Sequence, residues 1–465
     1  MVTKFVSFVF SHLDRQLQSS SALAPGSKRR MLPPTPTRTT QIYLLVLLLA
    51  ISLVTLAHFH PATSFSLPLL PTPDDGAVYG AVKSYPTYSR ESDNRHLTQD
   101  ECTNRFPDLY READRAQRLY KKRGGITKEM VEEAEKDNGN ARLVILNNKL
   151  FVKTYKGGIN TRTQAAMAQV HRTVMTSPEP LPDIEFVIQT SDAGNGKYPH
   201  FALDREAEQE EIWLMPDFGF YSWPEPGVGA YTEVRAKALA YEQNLGLRLD
   251  DELNVIHSSW ENKTEKLFWR GSPMVEVRQD LLRASRDQPW SDVKELNWGA
   301  VNKDEEEKMK NNGDLRTPAE HCQYQFLAHV EGWAYSGRLK YLQQCRSVIV
   351  AHPLKYIQHY HHLLNSNEND PNQNIVEVPL PLEENLPGVM EKLLDPMNRE
   401  KVERIADNSW RQLREGWISP AANECYYRYA LRAYASVQKF QPSLENRAVP
   451  YESFLLMGST HWDPH

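Results

Sequence analysis

Short apolar runs alternate with amphipathic stretches along most of the chain. The segments Ala141–Asn147 and Lys149–Tyr155 read as two short strands joined by a tight Asn-Asn turn, and Ile184–Ile188 reads as a buried strand ending in Gln189-Thr190-Ser191-Asp192. Arg105–Lys122 and Thr161–Thr176 carry helical spacing. The second half alternates in the same manner: strand Lys266–Arg270, helix Val275–Ser285, strand Cys322–Val330, helix Ser336–Gln344 and strand Ser347–Ala351. Strand Asn374–Val378, a helix after Pro387 and a long helix Arg399–Glu415 follow. Strands alternating with helices of this length predict an α/β protein with parallel, doubly wound sheets. Two such lobes place a ligand cleft between them, at the carboxyl ends of their strands.

One stretch departs from the alternation. Ile42–Phe59 is an apolar run of eighteen residues without Asp, Glu, Lys or Arg. As a helix it spans roughly 27 Å, about the thickness of a thin early-secretory bilayer. Lys28, Arg29, Arg30 and Arg38 precede it and Asp74 and Asp75 follow, so the positive-inside rule leaves residues 1–41 in the cytosol and everything after the span in the lumen. A cleaved signal peptide would need a basic region far longer than usual, so the run reads as a single uncleaved transmembrane anchor at 42–59. Residues 60–95, rich in Pro, Ser and Thr, read as an extended stem. The folded part divides into an N-terminal lobe over 96–260, a C-terminal lobe over 261–440 and a tail over 441–465.

Lumenal placement gives meaning to features that would otherwise be silent. Cys102, Cys322, Cys345 and Cys425 are the only cysteines; disulfides persist in such a compartment, and spacing alone leaves all three pairings open. Asn262-Lys263-Thr264 is the one N-glycosylation sequon. A net charge of -6 lacks the basic footprint of a nucleic-acid binder, and nucleic acid is excluded as a partner.

Candidate chemistry gathers at strand ends. In Trp269-Arg270-Gly271-Ser272 a strand delivers an arginine to its carboxyl end, glycine lets a ligand approach the backbone, and a helix entry follows. That geometry suits a diphosphate; a plain strand–turn–helix join produces the same residues. In Glu331–Leu342, Ser336 and Gly337 sit at the expected helix start, with Arg338 and Lys340 in its first turn. Cations there oppose the helix dipole by about 0.3–1 kcal/mol each, which suggests an anionic partner; two solvated surface cations are the alternative. Asp192, just past a buried strand, suits a general base toward a hydroxyl, although a turn-stabilising Asp before glycine is the commoner explanation of such a residue. There is no Asp-x-Asp pair to hold Mg²⁺ or Mn²⁺ on a diphosphate, so Arg, Lys and helix termini inherit that task. His352, His359, His361 and His362 lack the spacing of a zinc site and read as a helix flank, so no metal is assigned.

Together these segments resemble the family 90 glycosyltransferases, which include Rumi-type protein O-glucosyltransferases and capsule-associated xylosyltransferases. The resemblance is strongest from Cys322 through Glu331-Gly332 and Ser336-Gly337-Arg338-Leu339-Lys340 to Cys345, and continues through Pro379–Leu382 to Cys425. Trp269–Ser272 matches the donor motif, and Asp192 lies in the segment that bears the family's catalytic aspartate. The resemblance implies a GT-B-like fold of two Rossmann-like lobes and inverting transfer from a UDP-sugar, a co-substrate, with no cofactor. It makes Asp192 the base and assigns the donor to Arg270, Gly271, Ser272, Gly332, Ser336, Arg338 and Lys340. It pairs Cys322 with Cys345 and Cys102 with Cys425.

Two departures matter. Glu331 stands where the Rumi-type enzymes have arginine, so either Glu331 reads the donor sugar's hydroxyls or a nearby basic residue substitutes. The C-terminus, Trp462-Asp463-Pro464-His465, is not a retrieval tail; with the anchor, it favours the Golgi membrane over the endoplasmic reticulum, and a glycan acceptor over a folded protein module. A catalytically inactive, anchored relative that binds glycans or chaperones other transferases is the competing reading. A glycan kinase would need a Walker-type loop or a carboxylate cluster, and the chain has neither.

Overall fold

The apolar runs do become strands, and the computed structural model arranges them in two sheets. It describes residues 91–159, 161–192, 196–224, 227–251, 254–296, 315–445 and 448–460. The expected anchor at 42–59, the stem up to residue 90 and the last five residues lie outside that set. Among the described residues no helix is long and apolar enough to cross a membrane. The chain is already packed at residue 92, where buried Ser92 accepts a hydrogen bond from Arg235 Nη2 at 3.2 Å.

Helices α1 (Gln99–Arg105), α2 (Arg111–Lys122) and α3 (Lys128–Asp137) lead into the first sheet. Pro107 falls in the gap between α1 and α2, where the spacing predicted unbroken helix. Strands β1 (Ala141–Leu146) and β2 (Lys149–Tyr155) form a hairpin whose turn residues Asn147 and Asn148 have φ of 51° and 57°. Asparagine tolerates this left-handed backbone better than most residues, and the turn makes the pair antiparallel. After α4 (Arg162–Thr176) come β3 (Ile184–Ile188), β4 (His200–Ala202) and β5 (Trp213–Leu214), which pair in parallel; β3 pairs antiparallel with β1. The first sheet is therefore mixed, not the parallel sheet expected from the alternation. Its central strand β3 is buried along its whole length, and Glu185 within it is neutralised by Arg142 and Lys153.

The second sheet follows the expectation. Strands β6 (Thr264–Gly271), β7 (Ser291–Glu295), β8 (Tyr324–His329), β9 (Val348–Ala351) and β10 (Val376–Glu377) are all parallel, in the order β7-β6-β8-β9-β10. Helix α5 (Tyr231–Asn244) precedes this sheet, and α6 (Glu276–Ala284) connects β6 to β7. The helix expected over Ser336–Gln344 shrinks to one turn, α7 (Leu339–Leu342), with Ser336 outside it at φ 59°. So short a helix has no useful dipole, and the argument from cations in its first turn does not hold.

Helix α8 (Leu382–Leu394) starts well before Pro387, which sits inside it. Its first amides, Leu382 and Glu383, are capped by the Asp280 carboxylate of α6 at 2.5 and 3.0 Å, a distant cap invisible in the local pattern. Helix α9 (Arg399–Asn408) gives way to a wide π-helical segment over Ser409–Trp417. The chain then returns to the first sheet: α10 (Pro420–Val437) packs on α1, α2 and α4, and β11 (Val449–Pro450) pairs with the hairpin edge at β2 before α11 (Tyr451–Met457). Cys102–Cys425 fastens this return and Cys322–Cys345 closes a local loop, the two pairs implied by the family resemblance.

Candidate active site

Strand β6 carries Trp269, Arg270 and Gly271 to its carboxyl end, and β8 ends just before Glu331. The two strands are neighbours, so the loops that follow them face each other. The indole of Trp269 is the floor between them: the guanidinium carbons of Arg278 and Arg338 lie 5.9 and 5.6 Å from its ring centroid. Arg278, from the first turn of α6, donates to the carbonyls of Glu331 (2.9 Å) and Ser272 (3.1 Å). Neither arginine has a carboxylate partner among the described residues. Burial and then the charge of Arg278 lower the Arg338 pKa from 12.5 to about 9. Two cations held close together, one buried and one half-buried, raise each other's energy, and an anion bound between them relieves it.

The glycines serve these arginines. A Cβ on Gly271 would lie 2.7 Å from the Trp269 ring and 3.2 Å from Arg338 Nη2, and a Cβ on Gly332 would lie 2.9 Å from Arg278 Nη2. The Ser272 hydroxyl is tied to the Leu296 carbonyl at 2.9 Å.

The other two expected cations are already neutralised within the protein. Arg270 Nη2 pairs with Asp292 Oδ1 at 2.7 Å, and its guanidinium stacks 4.6 Å from the Phe268 ring. Lys340, fully buried, pairs with the equally buried Asp217 at 2.8 Å and donates to the Gly337 carbonyl at 2.6 Å. Asp217 also accepts from the Gly219 amide and from Gln358 Nε2, so Lys340 is tied into a closed network. Of the three cations singled out from the sequence, only Arg338 stands without a carboxylate partner among the described residues, and its companion is Arg278.

Glu331 does not take the place of a phosphate-facing cation. Its carboxylate accepts the backbone amides of Lys355 (3.1 Å) and Tyr356 (2.9 Å), and burial raises its pKa to about 7 against those two donors. Arg278, bonded to the Glu331 carbonyl, supplies the positive charge from a neighbouring helix.

Asp192 lies past the end of β3, close enough to the loop after β8 to act electrostatically on Tyr335. Its Oδ1 is 2.7 Å from Arg162 Nη1, and its side chain is 39 % exposed. Arg162, the first residue of α4, is steadied 5.0 Å over the Phe218 ring. An exposed carboxylate oriented by an arginine is placed to accept a proton from an incoming hydroxyl. Between the two sides runs Glu331–Lys340. Buried Tyr335, at its middle, has its hydroxyl pKa pushed well up by burial and by Asp217, Asp204 and Asp192, whereas Arg278 and Arg338 flank the same segment.

Pattern reading missed two residues here. Arg278 was visible as a charge in the first turn of the helix after Gly271, but only packing shows it turned back onto the loops after β6 and β8. Asp204 follows the short β4 and carries no local signature; it is fully buried, and neither oxygen has a hydrogen-bond partner among the described residues. The histidines form no cluster of ligands: His359 packs edge-on to Phe220 and lies against Tyr426. Asn262 is exposed, with its amide donating to the Leu245 carbonyl at 2.9 Å.

A mixed α/β scaffold with an arginine pair at parallel strand ends suits an enzyme that takes a group from an anionic donor. Comparison gives the family: the model of Glycosyl transferase family 90 matches residues 99–458, and the chain belongs to that family. It is similar to an O-glucosyltransferase rumi homolog of Aedes aegypti, 24% identical over 340 residues that cover 70% of this chain and 78% of the relative. It is 23% identical to O-glucosyltransferase rumi of Drosophila pseudoobscura pseudoobscura over 349 residues, covering 70% of this chain and 76% of the relative. Protein O-glucosyltransferase 3 of Homo sapiens is 27% identical over 192 residues, 40% of this chain and 35% of the relative.

Proposed function

We propose that this protein is an inverting glycosyltransferase of GT-B type that moves glucose or xylose from a UDP-sugar to a hydroxyl of a glycan or glycoprotein, without a bound metal. The observation that carries the reading is the arginine pair Arg278 and Arg338 on the Trp269 ring, with Asp192 acting on Tyr335 of the loop that bears Arg338. In this reading the acceptor oxygen attacks the anomeric carbon as its proton passes to Asp192, and the bond to the diphosphate breaks. The negative charge released onto the diphosphate is met by the two guanidiniums, the task a divalent cation performs elsewhere. One displacement with one base inverts the anomeric centre.

A groove of ≈ 600 Å³ runs along α4 from Thr161 to Met175, walled by Tyr221, His171, Arg172, Tyr451 and Phe454, and we assign the acceptor to it. Aromatic faces next to polar groups suit a sugar ring or a peptide. The apolar segment at 42–59 supports a single-pass anchor with the catalytic part in the Golgi or endoplasmic reticulum lumen. The inactive-relative reading rested on Glu331, and Arg278 supplies the charge whose loss motivated it.

The test is UDP release by the full-length protein in detergent, with a panel of UDP-sugars, before and after EDTA treatment. Turnover of UDP-glucose or UDP-xylose that survives EDTA supports the proposal. Strict dependence on added Mn²⁺, or no turnover of any donor, overturns it.

A further inference from the structure

Asp204 is the most conspicuous polar group that the proposed chemistry leaves unused. It is completely buried, and both carboxylate oxygens lack a hydrogen-bond partner among the described residues. The adjacent cation does not help it: Arg205 turns to Glu112, with hydrogen bonds of 2.8 and 3.1 Å. Backbone bonds between Arg205 and Ile357, 3.1 and 2.7 Å, fix the backbone beside it. Its surroundings are acidic. Burial, then Asp192 and Glu331, raise its pKa to about 8, and the Tyr335 amide opposes this too loosely to close a hydrogen bond.

A buried carboxyl without partners is costly to a fold, and such groups persist where a ligand completes them. The position says which part of a ligand. A diphosphate belongs with Arg278 and Arg338, and the reacting hydroxyl belongs with Asp192. The transferred sugar must lie between leaving group and base, where Asp204 stands beside Asp192, Glu331 and Tyr335. Acidic neighbours repel phosphate but accept neutral hydroxyls. A sugar hydroxyl both donates and accepts, so it pairs with this carboxyl whether or not the proton is on it.

We infer that Asp204 is a specificity residue that holds a hydroxyl of the donor sugar; the inference rests on the proposed UDP-sugar site. Two variants of the full-length protein, Asp204→Leu and Asp204→Asn, test it. Three quantities are read in each: UDP affinity by calorimetry, kcat/KM for the best UDP-sugar, and kcat/KM for the monodeoxy analogues of that donor. UDP affinity is expected to stay within about twofold, because the arginine pair is untouched. Transfer by Asp204→Leu falls about 10- to 100-fold. Wild type rejects one monodeoxy donor by a similar factor, and Asp204→Leu no longer does. Asp204→Asn, which keeps hydrogen-bonding capacity, retains part of that discrimination.

Melting temperature serves as the folding control: removing an unpartnered buried carboxyl leaves it equal to wild type or higher. A folded Asp204→Leu that rejects every deoxy donor as wild type does overturns the assignment, as does one that loses UDP binding along with transfer. Wild type that neither binds UDP nor turns over any UDP-sugar sinks the reading of the whole site instead, so the two failures are told apart.

Discussion

The ends of the two sheets pose opposite electrostatic problems. On the second sheet, Arg278 and Arg338 are cations without carboxylates among the described residues; on the first, Asp192 and Asp204 lie close together, and Arg162 pairs with Asp192. Nearby, equal and opposite charges cancel, as in Arg270–Asp292 and Lys340–Asp217. The lesson is that charge type does not identify a binding residue. What distinguishes Arg338 from Lys340, two positions apart, is whether the fold supplies its counter-charge.

The comparison can be broken on the acidic side first. Asp192→Asn removes the proton acceptor and leaves the arginines in place, so transfer is expected to fall by about 10²–10⁴-fold while UDP affinity is retained. Unchanged transfer removes Asp192 from the mechanism. On the basic side, Arg338→Gln or Arg278→Gln is expected to lower transfer by about 10²–10³-fold and to weaken UDP binding as well. UDP titration of both single variants and the double variant adds a sharper check. The two losses should not add, because deleting one arginine relieves repulsion on the other.

The cancelled pairs should behave differently. Asp217→Asn leaves Lys340 buried without its counter-charge, which costs about 3–5 kcal/mol and appears as a large drop in melting temperature. Arg338→Gln should leave the melting temperature equal or higher. If both variants melt alike, the division between structural and ligand-facing cations is wrong.

A pH dependence tests the acidic side independently of activity. Asp204 and Glu331 have pKa values raised to about 8 and about 7 in the folded protein, from 3.8 and 4.5. Between about pH 4 and 8 the folded state therefore holds more protons than the unfolded chain, and these groups make stability fall as pH rises through that window. Their contribution is complete below about pH 4 and lost above about pH 8. Melting curves of Asp204→Asn should show a shallower decline over the same range; an identical slope contradicts the raised Asp204 pKa.

Much of this was legible in the residues alone, because local patterns carry local information. Alternating apolar runs at Ile184–Ile188, Lys266–Arg270 and Ser347–Ala351 have one stable use, as buried strands, and the donor loops were found by their glycines and cations. The order of Trp269–Ser272, Glu331–Lys340 and the cysteines carried the family. What stayed hidden depends on contacts between residues far apart in the chain. The Asp280 cap that starts α8 ahead of Pro387, the carboxylates opposite Arg270 and Lys340, and the return of residues 420–457 to the first sheet all join such segments. The sequence by itself determined where the strands end and which loops carry glycines and charges, since strand ends and turns are set by neighbours in the chain. Only the tertiary structure decided which charges are spent on the fold and which are left for a ligand, since electrostatic energy depends on distance and burial, not on order along the backbone.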